Sequence, residues 1–385
     1  MDLDLTTDEQ RAVREMARKF ADEYIIPVAR DNDINERFPG DIIERMGDLG
    51  LLGGPIPVEY GGAGLDYISH ALVTEEIGKA CSSVRTTISV QISLVELSLA
   101  SWGTEEQKRR YLPAMCSGKL IGCFGLTEPN AGSDPSGLET SAVADGDHWV
   151  LNGHKIWISN GGVADLAIVF AQTDKSKGNR GIGAFLVDRG TPGFSTRDMH
   201  GKLGLRASNT GELILEDCRI PKGQLLGKVG EGFKVAMSAL DNGRYSVAAG
   251  CVGICQGCTD ASVRYAKERK QFGRAIGSFQ LVQDLIARMI VDTEAARLLV
   301  FRAGHLKNQG RRCTREISMA KYFASEAAVR CALDAIQVHG SYGYSNEYPV
   351  ERYLRDAKVA TIYEGTSQIQ KLLIASHDLG IRAFV

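Results

Sequence analysis

The chain has 385 residues, which is too long for one ordinary hydrophobic core and predicts two or three domains. Hydrophobic residues make up 44% and charged residues 24% of the chain, values that are ordinary for a globular protein in water. A net charge of −2 argues against nucleic acid as the main partner, and no apolar run reaches the roughly 18 residues that a membrane span needs.

The predicted elements run from helices to strands and back to helices. Thr7 to Gln10 fits a capping box for the first helix, and helical spacing continues to about residue 120. Four β-type runs, HWVLNGHKIWIS, LAIVFAQT, IGAFLVD and GELILEDCRI, then predict an antiparallel β domain. Apolar residues on several faces of the later helices indicate a buried bundle. The predicted fold is α+β and mostly α, with domains at 1–120, 121–230 and 231–385.

The cysteines and the N-terminal segment indicate the compartment. Nine scattered cysteines predict reduced thiols rather than a disulfide framework. The first ten residues are acidic and do not resemble a secretory signal, so we expect a cytoplasmic protein, or a matrix-like mitochondrial one if the chain is a processed form. Cys255 and Cys258 form a C-x-x-C within a helical run of small residues. We predict helix packing there, with a metal or redox role as the alternative.

Two polar loops of the β region carry the strongest chemical signal. The chain has no Walker loop, no G-x-G-x-x-G at a strand–helix junction, no HExxH and no metal-ligand spacing of its histidines. The loops CFGLTEPNAGSD (123–134) and KIWISNGG (155–162) contain typical turn residues, but turn formation does not explain a tryptophan beside a polar cluster. A flat aromatic ring next to hydroxyls and free N–H groups suits a flat heteroaromatic ligand.

Five segments, GLTEPNAGSD, KIWISNG, ERKQFGRAIGSFQ, QVHGSYGYSNEYPVERYLRDA and IYEGTSQIQ, resemble the acyl-CoA dehydrogenase family in order and spacing. The resemblance covers nearly the whole chain. It implies an N-terminal helical domain, a middle β domain and a C-terminal four-helix bundle. It also implies FAD as the cofactor, an acyl-CoA substrate, a homotetramer built as a dimer of dimers, and an electron-transferring flavoprotein as the acceptor.

The resemblance also implies roles for single residues. Those that match flavin-ring contacts are Phe124, Leu126, Thr127, Trp157 and Ser159. Those that match contacts to the rest of FAD are Arg269 and Phe272 from a neighbouring subunit, Gln337, Gly340, Thr366 and Gln368. Ser133 matches a residue that contacts the pantetheine part of the substrate, and we also predict that it contributes to the FAD site. Asp241 and Arg244 match the CoA channel. Ser341 replaces the second glycine that the family often has after Gln337.

Glu364, between Tyr363 and Gly365, is the predicted catalytic base. Ser367 and Gln370 fit a capping box, so a helix should begin just after Glu364, and its positive end would favour a carboxylate. Burial in an acyl pocket would instead raise the pKa, which suits a base for a carbon acid. From position alone, a helix-dipole acid is the alternative. The resemblance implies that Glu364 removes the α-proton while flavin N5 takes the β-hydride, and that its two neighbours contact the substrate.

Arg85 carries the prediction about the substrate. A cation near the start of an apolar helix is disfavoured by the helix dipole, and Ser89 lies on the same face four residues later. A bound anion would contact both side chains, whereas an ion pair of Arg85 with Glu75, Glu76 or another acid on the surface is the alternative. The segment resembles glutaryl-CoA dehydrogenases, which implies a dicarboxylic acyl-CoA and, with suitable placement, decarboxylation to crotonyl-CoA. The alternatives are a substituted succinyl-CoA such as benzylsuccinyl-CoA, a short- or branched-chain acyl-CoA dehydrogenase, an O₂-dependent oxidase, and a non-catalytic flavoprotein that acts in assembly.

Overall fold

The computed structural model describes residues 5–381 and residue 383. The helices of the first third are α1 (Asp8–Phe20), α2 (Ile26–Ile34), α3 (Gly40–Asp48), α4 (Tyr67–Ala80), α5 (Ser82–Ile88), α6 (Leu97–Trp102) and α7 (Glu105–Cys116). The predicted capping box of α1 is confirmed, because the Thr7 hydroxyl accepts from Gln10 N–H while the Gln10 side chain accepts from Thr7 N–H.

Helices α5 and α6 are joined by a π-helical segment, Ser89–Glu96, without a break in the helical path. Every residue from 82 to 99 is buried, so this rod is surrounded by protein on all sides. Wide π-helical turns inside α-helices often occur at functional sites. The rod carries both Arg85 and Ser89, and their side chains therefore lie in the interior.

The middle of the chain forms an eight-stranded sheet. Its strands are β1 (Gly122–Gly125), β2 (Ser141–Asp145), β3 (His148–Ser159), β4 (Leu166–Gln172), β5 (Ile182–Asp188), β6 (Phe194–Asp198), β7 (Thr210–Pro221) and β8 (Leu225–Leu226). The order is β6-β7-β3-β2-β4-β5-β8, with β1 beside β4. All four predicted strands are present. The antiparallel prediction was wrong for β1 and for the start of β2, which both pair with β4 in the parallel direction.

The last third is helical again, as predicted. It comprises α8 (Gly232–Glu268), a two-stranded hairpin of β9 (Lys270–Gln271) and β10 (Arg274–Ala275), α9 (Gln280–Asn308), α10 (Thr314–His339), α11 (Val350–Ala360) and α12 (Ser367–Leu379). Helices α8, α9 and α10 pack around a core rich in alanine and cysteine. The α+β, mostly α, prediction is confirmed. The boundaries at residues 120 and 230 stay predictions.

All nine cysteines are free and buried. Cys255 and Cys258 lie in the α8–α10 core, where Cys331 of α10 also packs. In the part of the chain that the structure describes, no group of three or more His, Cys, Asp or Glu side chains could hold a metal ion. No helix between residues 5 and 381 has both the length and the apolar character to cross a membrane.

Candidate active site

Glu364 occupies a strained turn between α11 and α12. Its φ is +52° and that of Gly365 is +91°, so two consecutive residues lie in the left-handed region. That region is uncommon for a residue with a side chain, and such strain concentrates at functional positions. Helix α12 begins at Ser367, which confirms that a helix starts just after Glu364.

The capping box predicted from Ser367 and Gln370 was wrong. The N-cap is Thr366, whose hydroxyl accepts from Ile369 N–H at 3.3 Å. Ser367 is already helical, and its hydroxyl donates to Glu326. Thr366 and Ser367 are both capping residue types, and the turn gives the extended backbone of an N-cap to Thr366. Thr366 thus has a structural role, and its contact with FAD stays a prediction.

Glu364 is half-buried as a residue, with its Oε2 atom buried, and its carboxyl group is sparsely bonded. Its Oε2 has no hydrogen-bond partner in the described part of the chain. Burial raises the pKa of Glu364 to about 7, although Lys321, Arg244 and Arg85 act in the opposite direction. A base that titrates near neutral pH and keeps a free oxygen is well matched to proton abstraction from carbon. A solvated acid at a helix end would have a lowered pKa.

Gly243 of α8 makes the space for this carboxylate. A Cβ atom at Gly243 would lie 2.0 Å from Glu364 Oε2. Real Cβ contacts are never that short, so the carboxylate occupies a position that only glycine permits. The sequence interval between Gly243 and Glu364 is long, and no local pattern pointed to this contact.

Gly243→Ala is expected to lower kcat/KM by about 100-fold, because displacing a reacting group by about 1 Å has an effect of that size. The measurement is turnover of acyl-CoA substrates, with FAD absorbance as a check of folding. Gly223→Ala is the matched control, since a Cβ atom there meets nothing within 4 Å. Wild-type turnover in the Gly243 variant would contradict the placement of the base.

Cations hold the carbonyl groups of the turn. Arg244 Nε donates to the Glu364 carbonyl at 3.0 Å, and Lys321 Nζ donates to the Gly365 carbonyl at 2.7 Å. Gln370 Nε2 donates to both carbonyls, at 3.2 and 3.1 Å. Among the described residues, the Glu364 N–H group has no acceptor. The turn therefore keeps an N–H donor available beside the carboxylate.

Asp241 and Arg244, predicted to line the CoA channel, lie one helical turn apart on α8. Arg244 Nη1 and Asp241 Oδ1 are 3.0 Å apart, and the Thr314 hydroxyl donates to Asp241 at 2.6 Å. Arg244 therefore connects the predicted channel to the turn of Glu364. The contact of either residue with CoA stays a prediction.

Arg85 is a buried cation, and its side chain is 1% exposed. Its Nη2 donates to the Tyr363 hydroxyl at 2.7 Å, whereas its Nε has no partner. Within the described chain, no carboxylate lies within salt-bridge distance of Arg85. Gly250 of α8 makes room for it, because a Cβ atom there would lie 2.6 Å from Arg85 Cδ and Nε. A desolvated guanidinium without a counter-ion is costly, and an anionic ligand would offset that cost.

The alternative ion pair of Arg85 with Glu75 or Glu76 was wrong. Both carboxylates are buried on α4 and are already paired with arginines of α1 and α9. Those arginines are Arg14, Arg18 and Arg297. Ser89 directs its hydroxyl to Ser246 of α8, with the two oxygens 2.7 Å apart. Its contact with substrate stays a prediction.

The residues predicted to contact the flavin ring lie on β1, in the loop directly after β1, and at the end of β3. Trp157 is in a β-bulge where two residues of β3 oppose one of β7, with φ +62°, and 60% of its surface is exposed. Thr127 and Ser159 are half-buried, and Phe124 and Leu126 are buried. A large, exposed aromatic ring held by a strained bulge beside two hydroxyls fits a flat cofactor such as FAD.

A buried ion pair, which the sequence analysis missed, supports this loop. Lys155 Nζ and Glu128 Oε1 are 2.7 Å apart, and both side chains are almost fully buried. Glu128 also accepts from Glu139 N–H and Thr140 N–H at 2.6 and 3.0 Å. The pair thus fixes the start and the end of the segment that contains the exposed Ser133.

Arg269 and Phe272 lie far from Glu364 in the chain that contains them. Arg269 caps the C-terminus of α8, 26 residues beyond Gly243, which corresponds to about 39 Å of helix. Phe272 is 93% exposed on the β9–β10 hairpin. This separation is compatible with the expectation that both serve a neighbouring subunit, which stays a prediction.

The predicted adenosine end of the cofactor site is the C-terminus of α10. Gln337 is exposed there, and Gly340 caps the helix with φ +62°, which glycine adopts at little cost. Ser341 has no positive φ, so the missing second glycine does not distort the backbone. Gln368 is exposed on α12. The roles of these residues in binding FAD stay predictions.

Lys321 is the main site residue that the sequence analysis missed. Its side chain is fully buried on α10, among Ser318, Ala324 and Ser325, which are buried too. A lone lysine on an otherwise small and apolar helix face was the signal that could have identified it.

Three family models match the chain: acyl-CoA dehydrogenase, N-terminal domain at residues 7–119, middle domain at 123–218, and C-terminal domain at 230–378. The chain is 46% identical to a short-chain-specific acyl-CoA dehydrogenase of Clostridium acetobutylicum, over 97% of this chain and 99% of the relative. It is 43% identical to a glutaryl-CoA dehydrogenase of Desulfococcus multivorans, over 99% of each. A solved glutaryl-CoA dehydrogenase–glutaryl-CoA complex superposes with a TM-score of 0.96 at 42% identity, over 99% of this chain and 98% of that chain.

Proposed function

The chain belongs to the acyl-CoA dehydrogenase family, and we propose that it oxidises the α,β bond of a dicarboxylic acyl-CoA of the glutaryl-CoA type. It is an FAD-dependent acyl-CoA dehydrogenase, and FAD supplies a hydride acceptor when bound. Trp157, Thr127 and Ser159 would hold the flavin ring.

Glu364 removes the proton from the carbon next to the thioester carbonyl. Its unpartnered Oε2 can accept that proton, and its pKa of about 7 keeps much of the group ionised at neutral pH. The free Glu364 N–H group would donate to the thioester oxygen. Such a donor stabilises the negative charge that develops as the proton leaves, and so acidifies the α-carbon.

The substrate proposal rests on Arg85, a buried guanidinium that has no carboxylate of the described residues within salt-bridge distance. A distal carboxylate on the acyl chain would supply the missing charge and could use the guanidinium in a bidentate arrangement. The glycines that accommodate Glu364 and Arg85 are Gly243 and Gly250, seven residues apart on α8. Two helical turns separate them by about 10 Å, which leaves space for a short acyl chain between base and cation.

Three other functions compete with this proposal. A short- or branched-chain acyl-CoA dehydrogenase is supported by the similarity to the short-chain-specific relative, and would use Arg85 only as a partner of Tyr363. A substituted succinyl-CoA such as benzylsuccinyl-CoA could bind the same arginine. A non-catalytic flavoprotein would have no need of a strained, desolvated carboxylate at residue 364.

We further propose a homotetramer in the cytoplasm that passes electrons to an electron-transferring flavoprotein. The observation in favour of self-association is a set of exposed apolar side chains on the outer faces of α9, α10 and the β9–β10 hairpin. Its members are Phe272, Leu281, Val291, Leu298 and Leu333, which are between 52% and 93% exposed.

A dye-reduction assay of the purified yellow protein against four acyl-CoA esters tests the substrate proposal. We expect glutaryl-CoA to give a kcat/KM at least about tenfold above butyryl-CoA, because a charge-assisted contact typically contributes 1.5–3 kcal/mol. Benzylsuccinyl-CoA and isovaleryl-CoA complete the set, and released CO₂ shows whether decarboxylation follows. A preference for butyryl-CoA would refute the dicarboxylic proposal while leaving the dehydrogenase activity in place.

A further inference from the structure

Lys321 has an environment that packing alone does not explain. Its side chain is 0% exposed, and its Nζ donates to the Gly365 carbonyl at 2.7 Å. An ammonium group has three N–H donors, and no carboxylate of the described residues lies within salt-bridge distance of this one. Burying such a charge is costly unless another charge compensates for it. The compensating group must therefore act from a greater distance.

Glu364 is the carboxylate that acts most strongly on Lys321, and each of the two residues shifts the pKa of the other. Cys251 acts more strongly on Lys321 than Glu364 does, but burial raises the pKa of Cys251 to about 11, so its thiol is neutral at neutral pH. Burial lowers the pKa of Lys321 to about 8, and Glu364 opposes this shift. Burial raises the pKa of Glu364 to about 7, and Lys321 is the largest opposing charge. The other charged groups that act on the Glu364 carboxylate are Arg244 and Arg85, and Glu364 in turn contributes to the raised pKa of Tyr363. The other groups that act on Lys321 are Cys251, Arg244 and Glu326.

We infer that Lys321 is a positioning residue for Glu364: it holds the Gly365 carbonyl and supplies a buried positive charge that keeps the base ionised. The inference rests on the proposed role of Glu364 as the α-proton base. Through the carbonyl, Lys321 fixes the left-handed turn and hence the direction of the carboxylate. Through its charge, it favours the carboxylate form in surroundings that would otherwise favour the acid.

The two roles can be separated with three substitutions. Lys321→Met removes the charge and the donor, Lys321→Gln keeps a donor but no charge, and Lys321→Arg keeps both. We expect the acid limb of the kcat/KM–pH profile to move upward by about one pH unit in the Met and Gln variants, since losing a nearby opposite charge has that effect. At pH 6, such a shift lowers kcat/KM by about tenfold, in addition to any decrease in kcat/KM seen at high pH. The Arg variant should keep the wild-type limb.

Lys371→Met is the matched control, because it removes one positive charge from the exposed face of α12 and should leave the limb unchanged. An acid limb that stays in place in both the Met and Gln variants would overturn the inference. FAD absorbance shows whether each variant folds, and the Gln and Arg variants decide the question if the Met variant does not.

An infrared titration of the carboxyl group, with Glu364→Gln as the blank, measures the same shift without turnover. A wild-type protein that oxidises no acyl-CoA would refute the proposed function, whereas the infrared titration would still test Lys321. A Glu364 carboxyl band with the same midpoint in wild type and Lys321→Gln would refute the electrostatic role.

Discussion

Glu364→Gln is expected to lower kcat/KM for acyl-CoA oxidation by about 10³- to 10⁴-fold, the upper range for loss of a general base. Glutamine fills the same space beside Gly243 but accepts no proton. In the wild type, kcat/KM should rise as the pH increases through about 7, because the base works only when deprotonated and burial has raised its pKa to that value. The residual activity of Glu364→Gln should not show this rise of kcat/KM with pH.

Rapid-mixing measurement of flavin reduction under single-turnover conditions is the appropriate assay, since it isolates the chemical step. Glu347→Gln is the matched control, because Glu347 is exposed on the segment before α11. FAD content and thermal unfolding should be unchanged in both variants. A Glu364 variant that reduces its flavin at the wild-type rate would rule out the assignment of the base.

Arg85→Met is expected to lower kcat/KM for glutaryl-CoA by about 10²- to 10³-fold. The physical reason is that truncating one partner of a buried, hydrogen-bonded charge pair costs about 2–5 kcal/mol. The loss on butyryl-CoA should be much smaller, since that substrate brings no carboxylate. The ratio of the two kcat/KM values is therefore the measured quantity, and it cancels general effects on folding and FAD content.

Arg85→Lys provides the comparison that separates charge from geometry. It keeps the positive charge but loses the planar fork that binds a carboxylate with two hydrogen bonds, so we expect an intermediate loss on glutaryl-CoA. Tyr363→Phe removes the hydroxyl that now accepts from Arg85 Nη2 and tests whether Tyr363 orients the guanidinium. Equal losses on both substrates in Arg85→Met would show that Arg85 has only a structural role.

Local sequence patterns predicted the helices and strands correctly where a segment fitted only one pattern. Strands β3 and β5 begin and end where the sequence runs HWVLNGHKIWIS and IGAFLVD do, because turn residues bound both runs. The cap of α12 was misassigned because two consecutive residues, Thr366 and Ser367, can both cap a helix. The direction of β1 was missed because strand pairing is a long-range property.

The site was predictable to the extent that its residues form contiguous motifs. Trp157, Thr127 and Ser159 were predicted as flavin contacts from two short loops, and the structure adds the bulge that exposes the tryptophan. Lys321, Gly243 and Gly250 were missed because each acts through a residue distant in sequence. A glycine that makes room for a carboxylate cannot be distinguished, in the sequence, from one that merely allows helices to pack.

The sequence by itself determined the class of chemistry, because five motifs of the acyl-CoA dehydrogenase family and a lone glutamate in IYEGTSQIQ can be read without coordinates. Only the tertiary structure decided that Glu364 is desolvated with a pKa of about 7, and that Arg85 is buried beside Tyr363 rather than paired with Glu75 or Glu76. The reason is physical: desolvation and charge compensation depend on which atoms surround a group. Arg85 and Tyr363, 278 residues apart in sequence, come together only when the chain has folded.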